Sequence, residues 1–155
     1  ESCSMAVLDG DEVVYVARVP TTRIMSVVIS VGTRFPAYAT SMGRVLLAFQ
    51  EADWLDTYLA EVKLEPLTPK TITDPDRLRT ALDKVRRQEY CLIDQELELG
   101  LRSMAVPIRD GEDRVIAALN VSAHISRGSA EAIRKELLPA LRETASAISA
   151  DVARL

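Results

Sequence analysis

The most constraining feature of the sequence is a change of pattern from strand-like to helix-like before residue 50. Arg23 to Val31, RIMSVVISV, is apolar and rich in β-branched residues, which is typical of a buried strand. Gly43 to Phe49, GRVLLAF, is an apolar run that ends before charged residues, and it favours a core helix. The chain is therefore expected to turn from a sheet into a helix across a short connection.

The connection carries turn-forming and helix-capping residues. Gly32 permits backbone angles that other residues avoid, and Pro36 fixes its own φ and biases Phe35 towards an extended form. Thr40 or Ser41 can cap the helix by accepting a hydrogen bond from a free backbone amide.

Two arginines, Arg34 and Arg44, flank this corner, so amides, hydroxyls and positive charge come together there. That combination suits a small anion. A Ser or Thr at a strand-to-helix corner is more often only a helix cap, so the corner by itself leaves both interpretations open.

The rest of the chain predicts further strands and helices around this corner. Ser2–Leu8 and Glu12–Val19 flank Asp9-Gly10-Asp11 and form a predicted β-hairpin. Short connections between strands imply an antiparallel sheet. Later strands are predicted at 90–93, 103–109 and 114–123, and helices at 51–62, from the Asp74 cap onwards, and from the Ser129 cap to the C-terminus. The order of elements predicts an α+β fold.

Composition bounds the class of protein. The 155 residues are 48% hydrophobic and 27% charged, which fits one domain with an ample core. The net charge of −4 makes the chain a poor candidate for binding DNA by itself, because DNA binding leaves a basic footprint. No apolar run is long enough to span a membrane. Cys3 and Cys91 are expected to be free thiols in a reducing cytosol.

Motifs of the common enzyme classes are missing from the sequence. It has no P-loop, no G-x-S-x-G, no H-E-x-x-H and no dinucleotide fingerprint. His124 is the only histidine, and a lone loop histidine is more often solvated than catalytic. Because Cys3, Cys91 and His124 are scattered along the chain, a zinc site is not expected.

Two polar residues stand out on the last predicted strand. Asn120 and Ser122 are two positions apart, so they share one face of an otherwise apolar strand. Buried polar groups need partners, which are backbone, water or a ligand. A structural hydrogen bond is the commoner case for such a pair.

Three blocks of the sequence together resemble a known family. They are RIMSV followed by GTRFPAYATSMGRVLLA, then Glu89–Pro107, EYCLIDQELELGLRSMAVP, and then Ala117–Ser122, AALNVS. In this order they resemble the effector-binding domain of IclR-family transcriptional regulators, most closely the branch that regulates protocatechuate, 4-hydroxybenzoate and β-ketoadipate catabolism. The second block departs from the family pattern at two positions, with Glu89 in place of a glycine and Gln95 in place of an acid.

The resemblance implies a GAF/PAS-like α+β fold, an antiparallel sheet flanked by helices on both faces. It implies that residues 1–155 form one ligand-sensing domain, and that a winged helix-turn-helix DNA-binding domain lies N-terminal to this chain. It also implies a cytoplasmic sensor with no enzyme activity, cofactor or metal. The implied partners are a small organic acid (protocatechuate, 4-hydroxybenzoate or β-ketoadipate), further copies in a homodimer or homotetramer, and operator DNA through the N-terminal domain alone. No membrane partner is implied.

The family's effector contacts, carried over position by position, fall on Met42, Gly43, Asp94, Ser103, Asn120 and Ser122. On this basis Ser103, Asn120 and Ser122 would bond to effector oxygens. The amides of Met42 and Gly43 would face a carboxylate near the helix start. Asp94 would take a hydroxyl or an amide. The candidate carboxylate partners are Arg34, Arg44 and Arg102, and the candidate apolar wall is Met25 and Val28.

Two alternatives remain beside an acid sensor, and an enzyme is a third. The first is a GAF-like sensor of an unrelated ligand such as a nucleotide, which a basic phosphate-binding loop would favour; none is evident in the sequence. The second is a structural oligomerisation module whose pocket is filled by its own side chains. A structure without a cavity beside Asn120 would favour that module.

Overall fold

A single antiparallel sheet organises the fold. The computed structural model describes residues 1–20 and 28–155, and within these ranges six strands lie in the order β3-β2-β1-β6-β5-β4. The strands are β1 Ser2–Asp9, β2 Glu12–Val19, β3 Arg34–Pro36, β4 Cys91–Asp94, β5 Leu101–Arg109 and β6 Val115–His124. The helices are α1 Ser41–Ala48, α2 Ala52–Glu61, α3 Pro75–Gln88 and α4 Ala130–Val152. Short 3-10 turns at Ala37–Ala39 and Ile125–Arg127 precede α1 and α4.

Helices cover both faces of the sheet, as an α+β fold requires. One face packs against α1, with α2 and α3 outside it, and buries the larger apolar cluster, which includes Val13, Leu47 and Leu78. The other face packs against α4 and buries a second cluster, which includes Met104 and Leu141. The α+β prediction is confirmed.

The predicted helix caps are present. The Thr40 hydroxyl oxygen accepts a hydrogen bond from the Gly43 amide at 3.0 Å and begins α1. Asp74 accepts from the Arg77 amide at 3.1 Å and begins α3. Ser129 begins α4 in the same way. Each cap satisfies an amide that has no partner inside its helix.

The hairpin between β1 and β2 contains a β-bulge that matters for the site. Ala6 pairs with Tyr15 and Met5 pairs with Ala17, so Val16 has no partner in β1. Residues paired across two strands share a face of the sheet. The bulge therefore places Tyr15 and Arg18, which are three positions apart, on the face that packs against α1.

The strand predicted over Arg23–Val31 is wrong over its last residues. Residues 21–27 lie outside the described ranges, and residues 28–31 lie outside any strand. Val31 and Gly32 form a turn, with Gly32 at φ 93°, and the strand beside β2 is Arg34–Pro36. Val28 and Val31 are 78% and 66% exposed, whereas Ile29 packs against the core.

Neither a membrane span nor a metal cluster occurs among the described residues. None of their helices is long and apolar enough to cross a bilayer. No three of their His, Cys, Asp and Glu side chains meet as potential metal ligands.

Candidate ligand-binding site

A small cavity lies between the first turn of α1 and the sheet. The space open to the centre of a water molecule is about 20 Å³, which is enough for about one water. Its apolar lining is Ala39, Met42, Ile93, Leu97 and Leu101. Its polar lining is Tyr15, Thr40, Ser41, Ser103, Asn120 and Ser122.

Three hydroxyls and one amide form a connected polar cluster in this cavity. The Asn120 side-chain amide donates to the hydroxyl oxygens of Ser103 and Ser122, at 3.2 and 3.3 Å. Ser122 donates to Ser103 at 3.2 Å, and the hydroxyls of Ser103 and Ser41 are 2.6 Å apart. We call Ser41, Ser103, Asn120 and Ser122 the polar cluster. The cluster joins α1 to β5 and β6 in the middle of the apolar layer.

The hydrogen bonds of the cluster have a defined direction. The Asn120 carbonyl oxygen accepts from the Ser4 amide at 3.0 Å, so its NH₂ group must point to Ser103 and Ser122. Ser103 then accepts two hydrogen bonds, and its own hydrogen is left to donate to Ser41. The Ser41 hydrogen is the last donor of this chain, and it has no acceptor among the described residues. A buried donor in a mostly apolar cavity is suited to an oxygen of a ligand.

Tyr15 adds a further hydroxyl group to the lining of the cavity, outside the polar cluster. Its ring is 5% exposed and packs edge-on against Phe35, with the ring centres 5.8 Å apart. Burial raises the pKa of Tyr15 to about 12, although the positive charge of Arg18 acts in the opposite direction. Tyr15 is therefore protonated at neutral pH and can donate a hydrogen bond.

The structure brings four of the six residues taken from the family resemblance to the cavity. Ser103, Asn120 and Ser122 belong to the polar cluster, and Met42 contributes its side chain to the lining. Gly43 does not line the cavity, because its amide is bonded to Thr40. A Cβ at position 43 would lie 2.1 Å from the Ala37 carbonyl oxygen, so the glycine allows the backbone of the preceding turn to approach α1. Its amide does not face a carboxylate, contrary to expectation.

Asp94 lies on the opposite face of the sheet. It is paired with Arg102 across β4 and β5, while its neighbour Ile93 is paired with Ser103 and faces the cavity. Partial burial alone would raise the pKa of Asp94, but hydrogen bonds from Arg102 and Gln95 outweigh it and lower the pKa. Asp94 and Arg102 therefore satisfy each other and do not line the cavity, contrary to expectation.

Arg44 is buried but is already paired. Its guanidinium bonds to both carboxylate oxygens of Glu96, at 2.6 and 2.9 Å, and to the Tyr38 carbonyl oxygen at 2.8 Å. Arg34 lies on the exposed end of β3 and pairs with Asp9 and Glu12. Neither guanidinium is left for a ligand, and neither lines the cavity.

The predicted apolar wall is not formed by Val28. Val28 is 78% exposed, and residues 28–31 lie outside any strand. Met25 lies outside the described residues. In the described part of the chain the apolar wall comes from the 3-10 turn and α1 on one side, and from β4, the segment after it and the start of β5 on the other.

Sequence reasoning missed Ser41 and Tyr15 as site residues. Ser41 was recognised only as a possible cap, although it directly precedes Met42 at the same corner. Tyr15 carries a usable signal, because it alternates with Val13 in EVVYVARV and both are buried. Leu97 carries none, since it lies in the irregular segment between β4 and β5, and Leu101 is the first residue of β5, ahead of the strand start predicted at residue 103.

Comparison with known proteins gives a consistent result. A family model described as the bacterial transcriptional regulator IclR C-terminal domain matches residues 1–150. The Pca regulon regulatory protein of Pseudomonas putida is 47% identical over 142 residues, which are 91% of this chain and 49% of that protein. The chain thus spans about half of the length of that regulator.

Two solved structures share the fold closely. A putative transcriptional regulator, RHA06195 from Rhodococcus sp. RHA1, is 52% identical with a TM-score of 0.95, covering 99% of this chain and 63% of that one. The inducer-binding domain of the PobR transcription factor from Acinetobacter was solved as a double mutant with 3-hydroxybenzoic acid. It is 38% identical with a TM-score of 0.88, covering 96% of this chain and 87% of that one.

Proposed function

The chain belongs to the C-terminal, effector-binding domain family of IclR-type transcriptional regulators, and we propose that its effector is an aromatic carboxylic acid. The acid binds between α1 and the sheet, with an oxygen on the polar cluster. Similarity to the PobR inducer-binding domain, which was solved with 3-hydroxybenzoic acid, supports this class of ligand.

The observation that carries the proposal is the polar cluster itself. Four polar side chains meet inside an apolar layer, and the Ser41 hydrogen is left as a donor. Ligand pockets have this character, mostly apolar with a few convergent polar groups. Small aromatic acids offer a flat apolar ring and oxygen acceptors, which match both parts of the lining.

The size of the cavity links binding to a change of shape. Ligand pockets usually measure about 300–1,000 Å³, whereas this cavity holds about one water. An aromatic acid must therefore displace the cover of the cavity, which includes Met42, Leu97 and Leu101. Effector binding and rearrangement of this cover are then one event, which is what a sensor domain requires.

The role of the whole regulator extends this proposal. Residues 1–155 act as one ligand-sensing domain in the cytoplasm and assemble with further copies as a dimer or tetramer. Operator DNA is bound by a winged helix-turn-helix domain outside this chain, in keeping with the net charge of −4. The effector changes the affinity for the operator through the coupling between the two sites.

Thermal unfolding with protocatechuate, 4-hydroxybenzoate and β-ketoadipate tests the proposal. A ligand at about 100 times its Kd stabilises a protein by about 2.7 kcal/mol, or a few degrees in Tm. We expect one of the two aromatic acids to give this shift and β-ketoadipate, which has no ring, to give none; Ser41→Ala and Ser122→Ala should reduce the shift. Ser146→Ala, an exposed serine on α4, is the matched control and keeps the full shift. No shift with any acid, or equal shifts in all variants, would contradict the proposal.

A second candidate is a structural oligomerisation module without an effector, and the small cavity volume favours it. In such a module the polar cluster serves only to fix α1 on the sheet. The same titration separates the two candidates, because a structural module gains no stability from any acid in the panel.

A further inference from the structure

We propose that Arg18 is the residue that binds the carboxylate of the effector, at the β2 side of the cavity. This inference rests on the proposed function and adds to it the position and orientation of the acid group. The carboxylate lies near β2, and the far end of the ring reaches the polar cluster.

The position of Arg18 follows from the strand register. Arg18 is paired with Ser4 across β2 and β1, and Ser4 is paired with Asn120 across β1 and β6. The three residues form a row across the sheet on the face that packs against α1. Adjacent strands are about 4.8 Å apart, so Arg18 lies two strand spacings from Asn120.

Hydrogen bonds connect Arg18 to the polar cluster through one residue. An Nη1–H of Arg18 donates to the Ser4 hydroxyl oxygen at 3.1 Å, and the Ser4 amide donates to the Asn120 side-chain oxygen at 3.0 Å. Ser4 is 3% exposed, so this connection runs inside the protein. It places the guanidinium on the sheet face that carries Asn120, beside the cavity lining and not within it.

Arg18 has unused capacity to bind an anion. Its Nε is buried and has no hydrogen-bond partner, and no carboxylate among the described residues pairs with Arg18. A buried donor without a partner needs an explanation. Arg34 and Arg102 each use this same Nε to bind a carboxylate at 2.9 Å, on Glu12 and Asp94 respectively. A carboxylate ligand would accept a hydrogen bond from the Nε–H of Arg18 in the same way.

The other guanidiniums considered for this role are already neutralised. Glu96 binds Arg44 with both of its oxygens, and Asp94 binds Arg102 on the opposite face. Arg34 is held by two acids on the outer edge of the sheet. Among these four arginines, Arg18 alone combines a location on the cavity face with the lack of an acidic partner in the described part of the chain.

Tyr15 relates the position of Arg18 to the cavity. Arg18 and Tyr15 share a face because of the bulge at Val16, and Tyr15 lines the cavity. Burial raises the pKa of Tyr15, and the positive charge of Arg18 acts in the opposite direction. A carboxylate bound to Arg18 can therefore also accept a hydrogen bond from the Tyr15 hydroxyl.

The test compares an acid with its uncharged amide by isothermal titration calorimetry. The acid is whichever of protocatechuate and 4-hydroxybenzoate binds the wild-type chain. We expect Arg18→Gln to weaken binding of the acid by about 10- to 100-fold, the range for a charge-assisted hydrogen bond. Affinity for the amide should change by less than about twofold, because a neutral group gains little from a guanidinium. Arg79→Gln, at an exposed ion pair with Asp56, is the control and should leave both affinities unchanged.

Arg18→Lys is a second variant that keeps the test valid if Arg18→Gln does not fold. Lysine keeps the positive charge but lacks the Nε donor, so we expect a smaller loss that is still selective for the acid. Unchanged affinity for the acid, or equal losses for acid and amide, would overturn the role of Arg18 while leaving the proposed function intact. If no acid binds the wild-type chain, the proposed function fails first and this inference falls with it.

Discussion

Gly43 shapes the site although it does not line the cavity. A Cβ there would lie 2.1 Å from the Ala37 carbonyl oxygen and 2.4 Å from the Ala37 Cα. Both atoms belong to the backbone, so neither can move away as a flexible side chain would. The glycine is therefore required for the close packing of the 3-10 turn on α1.

Gly43→Ala is expected to destabilise the chain by about 3 kcal/mol, at the upper end of the range for overpacking. Gly111→Ala is the matched control, since its nearest neighbour would be 3.5 Å away, an ordinary contact. Urea denaturation should show a change of less than about 0.5 kcal/mol for the control. Equal effects for the two variants would contradict this explanation of Gly43.

Glu89 occupies a backbone conformation that favours glycine. It ends α3 with φ 59°, and glycine is usual at this position in the family. Glu89→Gly should be more stable than Glu89→Ala by about 1 kcal/mol, because both lose the contact with Arg109 but alanine alone keeps the left-handed strain. Equilibrium denaturation of the two variants measures this difference directly. Equal stabilities would show that the conformation costs nothing here.

Cys91 should make the chain sensitive to alkaline pH. Burial raises the pKa of Cys91 to about 12 from its ordinary value of 9.0, and nearby Arg44 only partly opposes this. Above pH 9 the folded chain thus keeps a proton that the unfolded chain releases. The contribution of this thiol to the unfolding free energy is complete below pH 9 and is lost as pH rises towards 12. Cys91→Ala should flatten the fall of unfolding free energy between pH 9 and 12. Cys3→Ala should flatten it less, because Cys3 is only half-buried.

At the scale of elements, the pair of Arg44 and Glu96 connects three parts of the chain. Arg44 lies on α1, Glu96 follows β4, and a Glu96 oxygen also accepts from the Ile72 amide at 3.1 Å in the loop before α3. The pair is nearly inaccessible, with side-chain exposures of 4% and 12%. Removing one partner of such a pair leaves the other charge buried.

Glu96→Gln should therefore cost about 3 kcal/mol of unfolding free energy. Glu65→Gln, at an exposed pair with Lys63, should cost less than about 1 kcal/mol. Chemical denaturation of the two variants at neutral pH checks the difference. A cost for Glu96→Gln as small as that for Glu65→Gln would mean that the buried pair is not structurally important.

Features that depend on neighbouring residues could be predicted from the sequence. The caps at Thr40, Asp74 and Ser129 follow from local hydrogen-bonding chemistry, and they are present. Asn120 and Ser122 do share one face, because strand periodicity fixes that relation. The α+β class followed from the order of the elements.

Features that depend on distant residues could not be predicted. Arg44 and Glu96 are 52 positions apart, and Ser41 and Ser103 are 62 apart, so no local pattern shows that they meet. The neutralised state of Arg44 was missed for this reason. The role of Tyr15 and Arg18 depends on a bulge at Val16, which no residue type in β2 marks.

At the scale of the whole molecule, the sheet lies between two helical layers with different tasks. α1 covers the polar cluster and the cavity, while α4 packs on the opposite face against β5 and β6. The polar cluster includes residues of β5 and β6, so these two strands contact both layers. A ligand that displaces the cover of the cavity acts on the same strands that carry α4, which offers a path for coupling to the rest of the regulator.

The most direct test of this account is a crystal structure of the chain with the aromatic acid that stabilises it most. The account predicts the ring between α1 and the sheet, one oxygen within hydrogen-bond distance of Ser41 or Ser103, and an enlarged cavity. An acid bound elsewhere, such as the open groove lined by Trp54 and Tyr58, with the polar cluster unchanged, would contradict it.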